Sequence, residues 1–156
     1  MMYRIPYTVC MNSIEGRMYP CPLAEVPLVL PLAGDRVQAG FPSPAEDFAV
    51  KRIDLTEVLI THPQATFLLR VAGSSMQDAG IHDGAMLVVD KAIKPRHGHI
   101  VVAIVDGEFT VKYLYQRGGR TMLKAANPTF PDIRPKDGQT IEVWGVVTSC
   151  IKRFAV

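Results

Sequence analysis

A series of short apolar runs, separated by turn-forming residues, is the feature that most constrains the fold of this chain. Each run has the length of a β-strand, and the turns between them include Asp106-Gly107 and Arg117-Gly118-Gly119. Several short strands at such close spacing favour a mainly β fold, a small and highly curved antiparallel domain with short helices. Asp106-Gly107 predicts the clearest hairpin. The predicted strands are residues 66–72, 85–90, 100–105, 108–115, 121–125 and 141–147.

The chain changes character near residue 40. Residues 1–39 are rich in proline and lack a periodic pattern, which predicts an extended, weakly ordered N-terminal arm. Residues 40–156 are predicted to form the folded β-rich body. The length of 156 residues suits one compact domain.

Two short helices are predicted at the start of this body. Ser43 followed by Pro44 suits the N-cap and first position of a helix that runs to about Lys51. Asp54 suits the N-cap of a second helix, which should end before His62-Pro63 because the residue before a proline is disfavoured in a helix.

Composition excludes several classes of protein. With 17 basic and 15 acidic residues the formal net charge is +2, and neither sign forms a long block, so sequence-independent coating of nucleic acid is not expected. Cys10, Cys21 and Cys150 lack the paired spacing of metal ligands, which favours reduced thiols and a cytoplasmic location. No metal and no other cofactor is predicted.

The apolar stretch at residues 23–40 resembles a targeting segment only superficially. It ends in Val37-Gln38-Ala39-Gly40, which fits the small-residue rule of a cleavage site, but Glu25 and prolines interrupt it and no basic cluster precedes it. A secretory signal is therefore not expected. No apolar run reaches the roughly eighteen residues needed to span a bilayer.

Ser75 and Lys112 form the best candidate for chemistry. Ser75 lies in the loop-like sequence Gly73-Ser74-Ser75-Met76, and Lys112 lies in the predicted strand 108–115, where its neighbours on the same face are Thr110 and Leu114. A serine hydroxyl is a poor nucleophile until a base removes its proton. A lysine can be that base only if burial keeps it neutral.

Each of these residues also has a structural interpretation. Lys112 could be an edge-strand lysine that prevents aggregation, and Ser75 has the composition of an ordinary loop. A triad of Ser75, His82 and Asp83 is an alternative, although His82-Asp83-Gly84 is better explained as a turn. Lys91 and Lys94 are poorer bases because their proline-bearing turn should be open to water.

The remaining histidines, His62, His97 and His99, precede proline or flank glycine, which predicts solvated loop residues. No group of histidines and carboxylates has the spacing of a metal site.

Several separate motifs, in order along the chain, closely resemble the UmuD and MucA group within the family of self-cleaving proteins that includes the LexA repressor. The resemblance extends from about Val26 to near the C-terminus. Its motifs are Gly40-Phe41-Pro42-Ser43-Pro44-Ala45, Val71-Ala72-Gly73-Ser74-Ser75-Met76, Gly80-Ile81-His82-Asp83-Gly84, Val88-Val89-Asp90, Asp106-Gly107-Glu108-Phe109-Thr110-Val111-Lys112 and Val143-Trp144-Gly145-Val146-Val147.

The resemblance implies a set of residue roles. Ser75 matches the nucleophile, Lys112 matches the general base, and Ala39-Gly40 matches the bond that the protein cuts in itself. Residues 1–39 would then be the arm removed by self-cleavage, and residues 40–156 the serine–lysine peptidase and dimerisation domain. Backbone N–H groups of Ser74 and Ser75 are the expected oxyanion donors.

The resemblance also implies partners. A RecA filament on single-stranded DNA would stimulate cleavage, and the processed homodimer would join a UmuC-like catalytic subunit of an error-prone polymerase. The dimer is expected to use the β surface near Trp144 through an isologous contact. No membrane and no direct sequence-specific DNA binding is expected.

Two other functions remain as alternatives. A LexA-like or phage-type repressor would need a helix-turn-helix, for which the sequence before Gly40 is too short and proline-rich. A structural module with decayed catalytic residues is disfavoured by intact Ser75, Lys112 and Ala39-Gly40. Residues 1 to about 17 match nothing in the family, so Met18 is an alternative start.

Overall fold

Antiparallel β-strands make up most of the structure, a computed structural model that describes residues 27–33, 50–136, 139 and 141–156. The described part also contains one short α-helix and two 3₁₀ turns, Pro63–Ala65 and Gln77–Ala79. The elements are β1 Val29–Ala33, β2 Val50–Asp54, α1 Leu55–Leu59, β3 Thr66–Arg70, β4 Met86–Asp90, β5 Ile100–Val105, β6 Glu108–Arg117, β7 Arg120–Lys124 and β8 Glu142–Ile151.

The strands form two sheets. β1 and β2 pair with each other, and the larger sheet has the order β3-β4-β8-β5-β6-β7, with antiparallel neighbours throughout. β8 inserts between β4 and β5, and its register shifts opposite Val88/Val89 and Val102/Ala103. Such irregularities bend a strand and increase its twist. The mainly β, antiparallel fold class predicted from the sequence is confirmed.

The apolar core covers both faces of β5. Val102 belongs to one buried cluster, together with Leu87 and Met76. Val101 and Ala103, which lie on the opposite face of β5, belong to the other cluster. Alternate residues of a strand point to opposite faces, so both sides of β5 are buried. This explains why residues 100–105 form a continuous apolar run.

The hairpin between β5 and β6 turns at the predicted position. Val105 pairs with Glu108, and the intervening Asp106 and Gly107 both have positive φ, at 52° and 84°. A two-residue turn with positive φ at both positions matches the right-handed twist of the strands it joins. This turn sets the register that places Lys112 opposite Val101.

The start of the body differs in part from expectation. The second predicted helix is confirmed as α1, with the Asp54 carboxylate accepting a hydrogen bond from the Thr56 N–H at 2.9 Å. The first helix was expected to continue to about Lys51, but residues 50 and 51 belong to β2, so that boundary is wrong; residues 44–49 lie outside the described part. Inter-strand pairing with β1 outweighs the local helix signals there.

β1 lies inside the segment predicted to be a weakly ordered arm. It pairs with β2 from Val29 opposite Asp54 to Ala33 opposite Val50. Among the described residues no helix is long and apolar enough to cross a membrane.

Candidate active site

A loop that follows β3 presents Ser75. Gly73 adopts a φ of +94°, a conformation that glycine tolerates and that side chains rarely adopt. Its N–H donates a 2.8 Å hydrogen bond to the Asp83 carboxylate. On the other side of the loop, the Ser75 carbonyl accepts a 2.9 Å hydrogen bond from the Ala126 N–H. The serine backbone is therefore held from two directions.

Lys112 approaches this loop from β6. β7 pairs with β6 only from Tyr113 onward, opposite Lys124, so the ladder on that side ends one residue short of Lys112. Ala126, two residues beyond β7, carries the chain to the serine loop. The end of β7 thus leaves room for Ser75 beside Lys112.

The Lys112 ammonium or amine nitrogen has three oxygen neighbours. Its Nζ lies 2.8 Å from the Ser75 Oγ, 3.0 Å from the Thr110 Oγ1 and 3.0 Å from the Val111 carbonyl oxygen. The lysine is only 6% exposed, and β6 is an interior strand of the sheet. The interpretation of Lys112 as a solvent-facing edge lysine is therefore wrong.

Burial lowers the pKa of Lys112 below its ordinary value because the charged ammonium loses its hydration. Within the described residues no carboxylate lies within salt-bridge distance of the Lys112 Nζ. Desolvation without a compensating anion favours the neutral amine, which is the form that accepts a proton.

An apolar cleft of about 310 Å³ opens beside the Ser75 side chain. The end of β3 and the following loop form one wall, and residues 109–111 of β6 form the other. Met76, Leu87 and Val102 line it from the core. Its volume lies at the lower end of the range of protein ligand pockets.

The Ser74 and Ser75 backbone amides make no hydrogen bond within the described part of the chain. Their neighbour Gly73, by contrast, has its N–H bonded to Asp83. Backbone N–H groups beside a nucleophile are the kind of donor that an oxyanion requires.

The alternative candidates make no hydrogen bond to the Ser75 hydroxyl among the described residues. His82 is exposed, and Asp83 binds the Gly73 amide of the serine loop. Lys91 places its Nζ 4.6 Å from the centre of the Trp144 ring. The structure therefore brings together the side chains of Ser75 and Lys112.

Among the remaining histidines, His99 differs from the expectation of a solvated loop residue because it is half-buried. His62 is an exposed loop residue as expected, and its Nδ1 lies 2.6 Å from Oδ2 of buried Asp90. His97 is exposed as expected. No group of three potential metal ligands occurs among the residues that the structure describes.

The predicted cleavage bond, Ala39-Gly40, lies outside the described residues. In the sequence, the bond falls within the connection between β1, which ends at Ala33, and β2, which begins at Val50.

Two residues near the dyad were not recognised from the sequence as functional. Thr110 contacts the lysine nitrogen, and Asn127 donates from Nδ2 to the Ser74 carbonyl at 3.0 Å. Asp83, considered from the sequence as a triad member, instead accepts a hydrogen bond from the Gly73 N–H. Thr110 has a signal, the alternation that puts it on the face of Lys112. Asn127 has none, because 53 positions separate it from Ser74.

Comparison with known proteins identifies the family of this chain. The family model described as Peptidase S24-like matches residues 31–148, and the chain belongs to this family of serine peptidases. It is 48% identical to protein ImpA of Salmonella typhimurium over 132 residues, which cover 85% of this chain and 90% of the relative. It is also 48% identical to protein MucA of Escherichia coli over 121 residues, covering 76% and 82% respectively.

A more distant similarity points to the same family. The LexA repressor of Paracidovorax citrulli is 36% identical over 142 residues, which cover 90% of this chain and 62% of the repressor. The chain is thus a UmuD-like member of the S24 family and is related to SOS mutagenesis proteins.

Proposed function

We propose that this protein is a self-cleaving serine peptidase that cuts its own Ala39-Gly40 bond with Ser75 as nucleophile and Lys112 as general base. The observation that carries the proposal is the 2.8 Å separation between the Ser75 Oγ and the Nζ of a buried lysine. This geometry is within reach for direct proton transfer. The lowered pKa of Lys112 favours the required neutral amine.

In the proposed reaction, neutral Lys112 takes the hydroxyl proton as the Ser75 Oγ attacks the Ala39 carbonyl carbon. The Ser74 and Ser75 amides stabilise the oxyanion. When the intermediate collapses, the Lys112 ammonium protonates the leaving Gly40 nitrogen. Water then hydrolyses the acyl-enzyme, with Lys112 again accepting a proton. Glycine at position 40 lacks a Cβ and allows a close backbone approach to the nucleophile.

The substrate is part of the same chain, which lowers the barrier by proximity. Positioning a tethered bond beside the serine replaces a bimolecular encounter by an intramolecular one. An activating partner therefore needs only to favour the docked conformation. We propose that a RecA filament on single-stranded DNA is this activator, that the protein acts in the cytoplasm, and that the processed homodimer joins a UmuC-like polymerase for translesion synthesis.

A repressor function is the second candidate, because the chain shares 36% identity with a LexA repressor. The higher identity of 48% to ImpA and MucA, over most of each relative's length, favours the UmuD-like role.

Incubation of the purified protein at alkaline pH, followed by mass spectrometry, tests the proposed chemistry. We expect a product that begins at Gly40. Ser75→Ala and Lys112→Ala should each prevent its formation while remaining folded, and Ser74→Ala, the matched control one residue away, should still cleave. Cleavage of either dyad variant at the wild-type rate would contradict the assignment.

The partner role needs its own experiment. Co-purification with a UmuC-like polymerase should favour the product that begins at Gly40 over uncut protein of Ser75→Ala. Equal binding and equal lesion bypass by the two forms would show that cleavage is not the switch.

A further inference from the structure

We propose that Asn127 is a positioning residue for self-cleavage: it fixes the direction of the Ser75 N–H, and so shapes the oxyanion site, by holding the Ser74 carbonyl. This inference rests on the proposed function. Asn127 follows β7 and is 7% exposed, and its Nδ2 donates to the Ser74 carbonyl oxygen at 3.0 Å.

The orientation of the Asn127 amide follows from its neighbours. Its Oδ1 accepts hydrogen bonds from the Thr129 N–H at 3.0 Å and from the Thr129 Oγ1 at 2.8 Å. A backbone N–H can only donate, so the atom that faces it must be the side-chain oxygen. The Nδ2 is thereby directed to Ser74, and the reversed amide would lose this bond.

Peptide geometry transmits this contact to the catalytic loop. The Ser74 carbonyl and the Ser75 N–H belong to one planar trans peptide and point in opposite directions. A donor that fixes the carbonyl on one side therefore fixes the N–H on the other. The Ser75 N–H has no acceptor within the described residues. In the proposed reaction it donates to the oxyanion.

Asn127 is not the sole contact that holds the peptide between Ser74 and Ser75. The Gln77 N–H also donates to the Ser74 carbonyl, at a longer 3.2 Å, and the Ser75 carbonyl is held by Ala126. Loss of Asn127 should therefore loosen the peptide without removing the loop. Deletion of one oxyanion donor costs about 10²–10³ in rate, so misdirection of a donor should cost less, about 10- to 100-fold.

The rate of self-cleavage as a function of pH tests the role. Asn127→Leu keeps the approximate size of the side chain and removes both the Nδ2 donor to Ser74 and the Oδ1 acceptor for Thr129. We expect the alkaline plateau rate to fall about 10- to 100-fold while the midpoint stays where it is in wild type, because the group that titrates, Lys112, keeps its three oxygen neighbours. Thr129→Val is the matched control; it leaves the Thr129 N–H on the Asn127 oxygen and should stay within about twofold of wild type.

Each result decides the matter. A plateau for Asn127→Leu equal to that of Thr129→Val would overturn the inference while leaving the proposed function intact. A midpoint that moves toward that of an ordinary lysine would assign Asn127 to general packing and would also overturn it. If Asn127→Leu does not fold, Asn127→Ala carries the same expectation. A wild-type protein that never cleaves would remove the proposed function and this inference with it.

Discussion

The hydroxyl of Thr110 should control both the rate and the pH dependence of self-cleavage. A neutral amine has two N–H donors and one lone pair. The Val111 carbonyl and the Thr110 Oγ1, each 3.0 Å from the Lys112 Nζ, are suited to accept the two hydrogens. The lone pair then faces the Ser75 Oγ at 2.8 Å, which is the direction that proton transfer requires.

Thr110→Val removes one of these acceptors with almost no change in volume. The freed N–H can turn toward the Ser75 Oγ and displace the lone pair, so the reactive orientation must be recovered at the cost of about one hydrogen bond, ~1 kcal/mol. That cost lowers the plateau rate at alkaline pH about fivefold.

The same substitution should also lower the midpoint of the pH–rate profile, a change that favours cleavage at neutral pH. Protonated Lys112 donates to all three oxygens, and hydrogen bonds from a charged donor are the stronger ones. Loss of the Thr110 acceptor therefore disfavours the ammonium more than the amine and lowers the pKa of Lys112 further. More neutral amine at neutral pH would partly offset the slower step, so only a full pH profile separates the two effects.

The assay is the first-order rate of arm cleavage, followed by mass spectrometry across neutral to alkaline pH without an activator. Thr148→Val is the control, because the Thr148 hydroxyl donates to the Val88 carbonyl at 3.2 Å, away from the dyad. We expect its profile to match wild type. A midpoint for Thr110→Val at higher pH than wild type, or an unchanged plateau, would refute the proposed role of the hydroxyl.

Further predictions concern stability and substrate. Lys112→Met should raise the free energy of unfolding, and the gain should be largest at pH values below the pKa of Lys112 in the folded protein, where wild type buries an ammonium. The pKa of this lysine in the unfolded chain is near 10.5, so the gain should shrink as pH rises from the folded-state pKa to 10.5. Urea titrations across this pH range measure the difference. Gly145→Ala should destabilise by about 1–3 kcal/mol in the same assay, since a Cβ would lie 2.7 Å from a methyl of buried Val89. Gly40→Glu should remain uncut, and mixing it with Ser75→Ala tests by mass spectrometry whether one protomer cuts another: a cleaved Ser75→Ala chain would indicate that it does.

Much of the sheet was predictable because local signals and tertiary structure agree. Residues 100–105 are apolar throughout and form β5, which is buried on both faces, and Asp106-Gly107 forms the expected turn. β1 was not predicted, because Pro31 argues against a strand; a two-stranded ribbon has open edges where a missing N–H is tolerated.

The environment of the dyad was less predictable. Alternation placed Thr110 on the face of Lys112, but burial of the lysine depends on where β7 ends and on the serine loop that lies beside it. These are relationships between segments distant in sequence. The contact between Asn127 and Ser74 also joins segments that are distant in sequence, so neither composition nor periodicity predicts it.

If the protein cuts its own Ala39-Gly40 bond as proposed, the β1–β2 ribbon should make release of the arm a separate step from cleavage. The predicted bond lies between the two strands, so cutting it leaves β1 paired with β2 and the Leu28 carbonyl bonded to the Leu55 N–H at 2.8 Å. Before cleavage the connection keeps the strands at a high effective concentration; afterwards the pairing is intermolecular. A two-stranded ribbon is marginal by itself, and the β1 residues Leu30 and Leu32 remain 43% and 48% exposed, so their burial adds little.

Release should therefore depend on concentration. After complete cleavage, we expect the fragment 1–39 to accompany the body in native mass spectrometry at high protein concentration and to dissociate on dilution. Denaturing mass spectrometry of the same samples controls for the extent of cleavage. The arm carries equal numbers of arginines and acidic residues, so its loss leaves net charge unchanged and the altered property is the exposed edge of β2. If the fragment stays bound at every dilution, contacts other than the β1–β2 pairing must hold it. If the fragment is absent from the body at every concentration, the β1–β2 pairing is lost on cleavage.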